Sequence, residues 1–404
     1  MIFVGIDWAE AHHDVCVLDS EGVKLDHARI NDGLAGVRVL HELVAKHTDE
    51  HTEVIVGIEI DRGLVVSALV RAGYQVYAIN PLAASRYRDR HHLSGAKSDP
   101  GDAKVLADLV RTDRHNHRPL AGDSALCEAI RVLARAHQSA VWSRQRQANA
   151  LRHSLRFYYP AALEALGNEL TSSTAIGLLS VAPNPAVGRR VTTAQLTAAL
   201  RRAGRQRNVD VAARGLREVL RREQLQADPV VADAYAHSTR SLVRIIAVFN
   251  DEISRLEAEL ERLLDEHPAA PIIRSIPGLG TLTGGRALGE FGDDPHRFAD
   301  ARCRKNYAGT SPITKASGRQ HLVLGRFAHN RRLADACDRW AFCSITASPG
   351  ARCYYDQLRA RGKTHGQALR QLANRWVGIL HVCLDRNITY DEHAAWGHLE
   401  PAPT

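Results

Sequence analysis

The sequence predicts an α/β domain followed by a mostly α-helical remainder. Three observations carry this. Short runs rich in Val and Ile alternate with segments of helical period over the first 120 or so residues. Beyond Asp123 the apolar residues recur almost everywhere at spacings of three and four. Between the two ends, one stretch keeps a heptad repeat.

Residues 2–8, 13–19 and 24–30 read as three strands, with Asp19-Ser20-Glu21-Gly22 as the turn between the second and third. Residues 33–47 place Leu34, Val37, Leu40, Leu43 and Val44 at helical spacing. A strand over 53–59, a helix over 63–72 and a strand over 75–79 follow, until Asn80-Pro81 breaks the chain. A short helix near 82–88 leads into a basic loop holding Arg86, Arg88, Arg90, His91, His92 and Lys97. A helix over about 101–113 carries Ala103, Leu106, Ala107 and Val110 on one side. Three strands in a meander, then alternating helix and strand, is the element order of an RNase H-like sheet.

Asp123-Ser124 is a good N-cap pair for a long helix reaching about Tyr159, where Pro160 ends or kinks it. That helix is punctuated by Arg131, Arg135, Arg144, Arg146, Arg152 and Arg156. Residues 161–200 read as short helices around Val181-Ala182-Pro183-Asn184-Pro185. Residues 201–222 hold eight arginines against Asp210 and Glu218 alone. An arginine excess of this kind favours phosphate contact over a merely solvated face. From Asp228-Pro229 another helix places Leu242, Ile245, Phe249, Ile253, Leu256, Leu260 and Leu263 on a heptad seam. The seam predicts coiled-coil pairing, between chains or within a hairpin; the plainer alternative is a helix packed inside its own domain. Residues 266–271 form a boundary. The predicted division is 1–120, the α/β domain; 121–267, a helical coiled-coil middle; 268–392, a mostly helical domain; and 393–404, a tail.

The chain has 404 residues, 45% of them apolar, with formal charge +8 and pI ≈ 9.2. Such a basic balance points to a polyanionic partner. The seven cysteines are scattered without a C-x-x-C pair, which predicts reduced thiols and a cytoplasmic protein. No apolar run approaches the roughly 20 residues needed to span a bilayer, and the N-terminus enters a strand directly, so neither membrane nor signal peptide is expected.

Four acids stand out. Asp7 closes Val4-Gly5-Ile6 and Glu59 closes Gly57-Ile58, while Asp99 and Asp102 lie three apart at the head of a helix. Carboxylates at strand ends facing carboxylates on a helical turn are a way to hold Mg²⁺, an ion of oxygen ligands that pairs with phosphate. Asp61 rivals Glu59, two residues on and on the same strand face; Asp14 and Asp19 read as surface or turn residues. His12-His13 and His91-His92 read as loop residues without a role.

Ile276-Pro277-Gly278-Leu279-Gly280-Thr281 has the form of a helix-hairpin-helix turn, whose backbone amides around Gly278 and Gly280 would face a phosphate. A tight turn between two core helices reads equally well. Ser317-Gly318 is predicted in a flexible turn beside Lys315 and Arg319, with Arg326, Arg331 and Arg332 close behind. A serine in such surroundings either attacks a phosphodiester or merely turns a DNA-contacting loop.

Taken together these segments resemble the DEDD transposases of bacterial insertion sequences, the family numbered one hundred and ten, relatives of the Piv DNA invertases. Val4-Gly5-Ile6-Asp7, Gly57-Ile58-Glu59, Asn80-Pro81 and the Asp99/Asp102 pair are similar to its RuvC-like domain. Ile276 to Gly280, Tyr307-Ala308-Gly309, Pro312, Ser317-Gly318 and Asn330-Arg331-Arg332-Leu333 are similar to its transposase domain. The resemblance covers nearly the whole chain and implies a recombinase that cuts and rejoins DNA. It implies Asp7, Glu59, Asp99 and Asp102 as Mg²⁺ ligands, and Ser317 as a nucleophile forming a phosphoserine link to DNA. It also implies a bridge RNA that pairs with donor and target DNA, and a homodimer or homotetramer with a site composed from two subunits. Lys97-Ser98-Asp99-Pro100-Gly101-Asp102-Ala103 departs from the usual motif but keeps both acids, and His329 stands where a Gly is common. Two other readings remain: a metal-dependent, junction-resolvase-like nuclease in which water attacks, and a non-catalytic nucleic-acid-binding protein.

Overall fold

A computed structural model describes residues 1–91, 98–120, 122–318, 320–327 and 329–397. His92 and Lys97 of the basic loop, Arg319, and residues 398–404 of the tail lie outside them. The chain forms two compact units. The first takes in Met1–Ser124 together with Asp293–Ala299; the second takes in Ala125–Gly292 and the chain from Asp300 onward. The predicted 268–392 segment therefore contributes to both units.

The first unit is built on a mixed sheet. Its elements are β1 (Ile2–Trp8), β2 (His12–Leu18), β3 (Lys24–Asn31), α1 (Leu34–Ala45), β4 (Val54–Ile58), α2 (Leu64–Arg71), β5 (Gln75–Ala78), α3 (Pro81–His91), α4 (Asp99–Thr112) and β6 (Arg118–Pro119). The sheet order is β3-β2-β1-β4-β5-β6. β2 runs antiparallel to both β1 and β3, β4 is parallel to β1, and β5 is parallel to β4. The pleat sends alternate residues to opposite faces. Ile2, Val4, Ile6, Val15, Val17, Val56 and Ile58 pack with α1 and α2. Phe3, Cys16, Leu18 and Ile55 pack with Ala103, Leu106, Ala107 and Val110 of α4. Both faces are therefore covered, which is why β1 and β4 read as continuous apolar runs.

His12 and His13 belong to β2 and not to a loop. His13 is buried, with its Nε2 3.1 Å from Asp32 Oδ1. α4 begins at Asp99, two residues before its predicted start, because Ser98 caps it by accepting from Gly101 N.

The second unit is helical apart from one hairpin. It comprises α5 (Ala125–Tyr158), α6 (Pro160–Leu166), α7 (Ser173–Val181), α8 (Pro185–Arg190), α9 (Thr193–Arg202), α10 (Val209–Arg221), α11 (Pro229–Glu266), α12 (Ala270–Ser275) and α13 (Thr281–Phe291). After these come α14 (Ala301–Tyr307), β7 (Ile313–Ser317), β8 (Gln320–Leu324), α15 (Arg331–Ala347), α16 (Pro349–Ala360), α17 (His365–Asp385) and α18 (Glu392–Trp396). α5 and α11 lie antiparallel: Tyr158 bonds Thr239, Arg144 bonds Asn250, and His137 bonds Glu257. The buried stripe of α11 is Ala236, Thr239, Val243, Ile246, Ile253, Leu260 and Leu264. The spacing of three and four is as predicted, but the seam runs one residue later through Val243 and Ile246, and Ile245 is exposed. α5 supplies the partner face, so the stripe packs within this chain. Trp340, Trp376 and Trp396 are fully buried at the C-terminal end, with Trp376 Nε1 donating to Ser344 Oγ at 2.7 Å. Among the described residues no helix is long and apolar enough to cross a membrane.

Candidate active site

Two glycines set the geometry of the first unit. Gly5 and Gly57 are register partners on the parallel strands β1 and β4. A Cβ on Gly5 would meet the Ala103 carbonyl oxygen at 1.9 Å, and one on Gly57 would meet that of Leu106 at 2.6 Å. The missing side chains let α4 lie directly on the strands. Asp7 is two residues beyond Gly5 on β1, so it points to this α4 face, and Glu59 is the partly buried residue just past the end of β4. Asp99 and Asp102 lie in the first turn of α4. Asp102 is buried and its Oδ1 lies 2.5 Å from Arg88 Nη2; Asp99 is exposed. Asp61 is exposed and pairs loosely with Arg62.

A fifth acid shares the face. Asp14 pairs directly with Asp7 across the antiparallel β1–β2 ladder. It is buried within a strand and is neither a surface nor a turn residue, in contrast to the sequence expectation. Arg29 Nη2 bridges it to the head of α4, 2.7 Å from Asp14 Oδ2 and 3.3 Å from Asp99 Oδ2. His12, Asp14 and Asp99 each offer a ligand atom, and these atoms lie within 4.8 Å of one another. Asp19 does sit in the β2–β3 turn, where its Oδ1 accepts from Val23 N.

Ser317 belongs to the second unit. It is the exposed last residue of β7, paired with Gln320 of β8 across a two-residue turn in which Gly318 has φ +55°. The predicted flexible turn is thus the tip of a hairpin. Arg319 and the side chain of Lys315 lie outside the described residues. Arg326 Nη2 donates to Asn306 Oδ1 at 3.0 Å, and Arg331 is exposed. Arg332 is tied inward: it donates to Arg135 O, Gln138 Oε1 and Ser139 Oγ and stacks 5.1 Å over Trp142. Gly278, at φ +81°, packs so closely that a Cβ would meet Trp340 O and Ser344 N at 2.8 Å; Gly280 is exposed at the head of α13. His329 fits because Gly309 leaves room for its ring: a Cβ at 309 would come within 2.6 Å of it.

Behind this segment lies a buried polar network that the sequence did not announce. Glu290 accepts from Arg135 Nε at 2.6 Å and Nη2 at 2.8 Å, and from Asn330 Nδ2 at 2.7 Å. Burial alone would raise its pKa, but the hydrogen bonds from Arg135 and Asn330 hold the carboxyl below its ordinary value. Asn330 also caps α15 and reaches Tyr307. Arg131 and Arg144 of α5 likewise donate within the unit, to Gly289 O and Asn250 Oδ1. By contrast Arg201, Arg202, Arg207, Arg214, Arg221 and Arg222 are exposed on and beside α10.

A family profile described as "Transposase" matches residues 4–160, and one described as "Transposase IS116/IS110/IS902 family" matches residues 270–356. The chain is 48% identical over 402 residues to a protein of Streptomyces coelicolor named as a mini-circle transposase for IS117, covering 98% of this chain and 97% of that one. The chain belongs to the IS116/IS110/IS902 family of insertion-sequence transposases. It is 30% identical to the 43.6 kDa protein of insertion element IS110 from the same organism, over 98% of this chain and 97% of the relative. It is also 30% identical to the 42 kDa protein of IS900 from Mycobacterium paratuberculosis, over 96% and 97%. The transposase is therefore a DNA recombinase enzyme. Its family implies a divalent metal, and the donor set fits one: carboxylates gathered on one sheet face are hard oxygen ligands, and the Arg29 guanidinium already bridges two of them.

Proposed function

We propose that the transposase cuts and rejoins DNA by transient covalent attachment to Ser317, with Asp7, Glu59, Asp99 and Asp102 holding Mg²⁺. The observation that carries the reading is the close approach of α4, whose first turn holds Asp99 and Asp102, to β1 and β4, whose ends lead to Asp7 and Glu59, at the positions where Gly5 and Gly57 leave room. The sheet order, three antiparallel strands followed by two parallel ones, supports an RNase H-like, RuvC-like frame for them. A bound Mg²⁺ would supply polarisation of a phosphate oxygen. The chain's own residues do the rest. The Ser317 hydroxyl, exposed at a hairpin tip, attacks phosphorus; its Oγ–P bond forms as the strand's P–O bond breaks, and the departing sugar oxygen gains the proton. A sugar hydroxyl of the partner strand reverses the step, so the phosphoester is conserved. Arg319 neutralises charge on the phosphate, and the exposed arginines of α10 hold nucleic-acid backbone.

Further parts of the reading follow the family resemblance: a bridge RNA guiding donor and target DNA in the cytoplasm, and a homodimer or homotetramer joined through a coiled coil of α5 and α11. Lys315, Arg326 and Arg331 would contact DNA beside the serine, together with the amides at Gly278 and Gly280. Arg332 serves these contacts by anchoring α15 to α5. The working division is 1–120, 121–267, 268–392 and 393–404.

The test is a denaturant-stable protein–DNA adduct. Full-length protein is incubated with Mg²⁺, the RNA transcribed from its element, and labelled donor and target DNA. An adduct lost in Ser317→Ala is expected. Cleavage that survives Ser317→Ala without any adduct would make the protein a nuclease in which water attacks.

A further inference from the structure

Arg29 stands among the acids of the first unit, and none of the roles given above uses it. It belongs to β3, where it is the register partner of Asp14 on β2; Asp14 is in turn the register partner of Asp7 on β1. Register partners present their side chains to the same face of a sheet, so the three residues form a row across it. The guanidinium is held unequally. Its Nε donates to Asp14 Oδ1 at 3.3 Å and its Nη2 to Asp14 Oδ2 at 2.7 Å, a two-pronged grip on a carboxylate only 8% exposed. The same Nη2 reaches Asp99 Oδ2 at 3.3 Å, and there both side chains are more than half exposed. Among the described residues Nη1 has no partner.

A two-pronged pair fixes the plane of a guanidinium, whereas an exposed ion pair contributes little and yields to a better partner. Asp14 therefore anchors Arg29, and the contact with Asp99, itself a proposed ion ligand, is the one open to exchange. Once it is exchanged, an N–H of Nη2 joins those of Nη1, and the end of the guanidinium presents parallel donors that match two oxygens of a phosphate. Four acids alone would repel a DNA backbone; a fixed cation beside them offsets this. We propose, on the recombinase reading above, that Arg29 binds a phosphate of the DNA strand presented to the four acids, with Asp14 as its positioning residue.

The test uses full-length protein with the RNA transcribed from its element, labelled donor DNA, and Ca²⁺ in place of Mg²⁺ so that binding is read without cutting. Arg29→Gln should weaken binding about tenfold, the low end for a hydrogen bond to a charged group, and lower the slope of log affinity against log salt by about one. Lys24→Gln removes the same charge from the other end of β3 and should leave the slope alone. Asp14→Asn should weaken binding too, and add nothing in the double variant. With wild-type protein, uncharged methylphosphonates placed one at a time along the DNA should cost affinity at a position where the cost vanishes in Arg29→Gln. Mn²⁺ affinity, followed by electron paramagnetic resonance, should hold or rise in Arg29→Gln, because a competing cation is gone. An unchanged slope in Arg29→Gln, an equal fall in Lys24→Gln, additive losses in the double variant, or a methylphosphonate pattern identical in the two proteins overturns the assignment. Weaker Mn²⁺ binding with the slope intact overturns it as well, leaving Arg29 as a support for Asp99 alone. The Ser317 adduct is measured in Mg²⁺ on the same preparation: its absence with the Arg29 effect retained sinks the recombinase reading alone, and an adduct without the Arg29 effect sinks this assignment alone.

Discussion

Gly5→Ala tests whether the close approach of α4 to β1 sets the acid geometry. The new Cβ would stand 1.9 Å from the Ala103 carbonyl oxygen and 2.4 Å from Ala107 N, both backbone atoms that no rotamer change can move. Restoring an ordinary 3.4 Å contact needs a retreat of about 1.5 Å by the helix or the strand. Overpacking of this kind costs about 1–3 kcal/mol. The functional cost is larger than the stability cost, because Ala103 adjoins Asp102 and Gly5 is two residues from Asp7. A misplacement of about 1 Å at reacting groups is worth about a hundredfold in rate. The assay pairs thermal melting with DNA cleavage and with Mn²⁺ binding followed by electron paramagnetic resonance. The expected result is a folded variant that melts a few degrees lower, binds Mn²⁺ more weakly and cleaves about a hundredfold more slowly. A variant with wild-type metal affinity and cleavage would refute the claim that this contact orients the acids.

Three further outcomes follow from the same structure. Glu290→Gln removes the buried partner of Arg135 and should destabilise the second unit by about 3–5 kcal/mol at neutral pH in urea denaturation. Because the folded-state pKa of Glu290 is depressed, its contribution is present above the ordinary value of 4.5 and lost as pH falls through the folded value, so the gap between wild type and variant should close on acidification; a gap that widened would overturn the assignment. Arg214→Glu with Arg221→Glu, both on the exposed face of α10, should lower the salt dependence of nucleic-acid binding by about one unit of slope each, and an unchanged slope would remove α10 from the interface. Gly215 sits mid-helix in α10 with open space where a Cβ would go, so Gly215→Ala should stabilise by about 0.5–1 kcal/mol, against which a lower melting temperature would count.

Much of the first unit was legible because β1, β2 and β4 are buried on both faces and bounded by clear turns, such as Asp19 to Gly22. The position of Asp14 was not. The run His12-His13-Asp14 looks like a polar lead-in to Val15-Cys16-Val17, and only the pairing of β2 with β1 puts Asp14 opposite Asp7. Pairing is non-local, so one strand cannot disclose it. The α11 seam failed differently. Leu242 and Val243, and Ile245 and Ile246, are adjacent apolar pairs, so two registers share the same spacing, and contact with α5 chooses between them. The β7–β8 hairpin escaped because its strands are exposed, with Leu322, Val323 and Leu324 all outside the core. The signal was present nonetheless: Gly318 between two runs of strand formers marks a hairpin turn. The network of Arg135, Glu290 and Asn330 joins residues 155 and 40 positions apart, and no local pattern predicts it.

The return of Asp293–Ala299 to the first unit has a consequence for how the protein is made. Asp123 accepts from the backbone amides of Asp293 and Asp294 and pairs with Arg297. The ribosome reaches these partners only after the whole of α5 through α13. At about 5–20 residues per second that is a wait on the order of ten to thirty seconds. The acid-bearing sheet therefore emerges first but acquires its last segment late. A nascent chain stalled between α5 and α13 would hold every one of the four acids and still lack a piece of the unit that carries them.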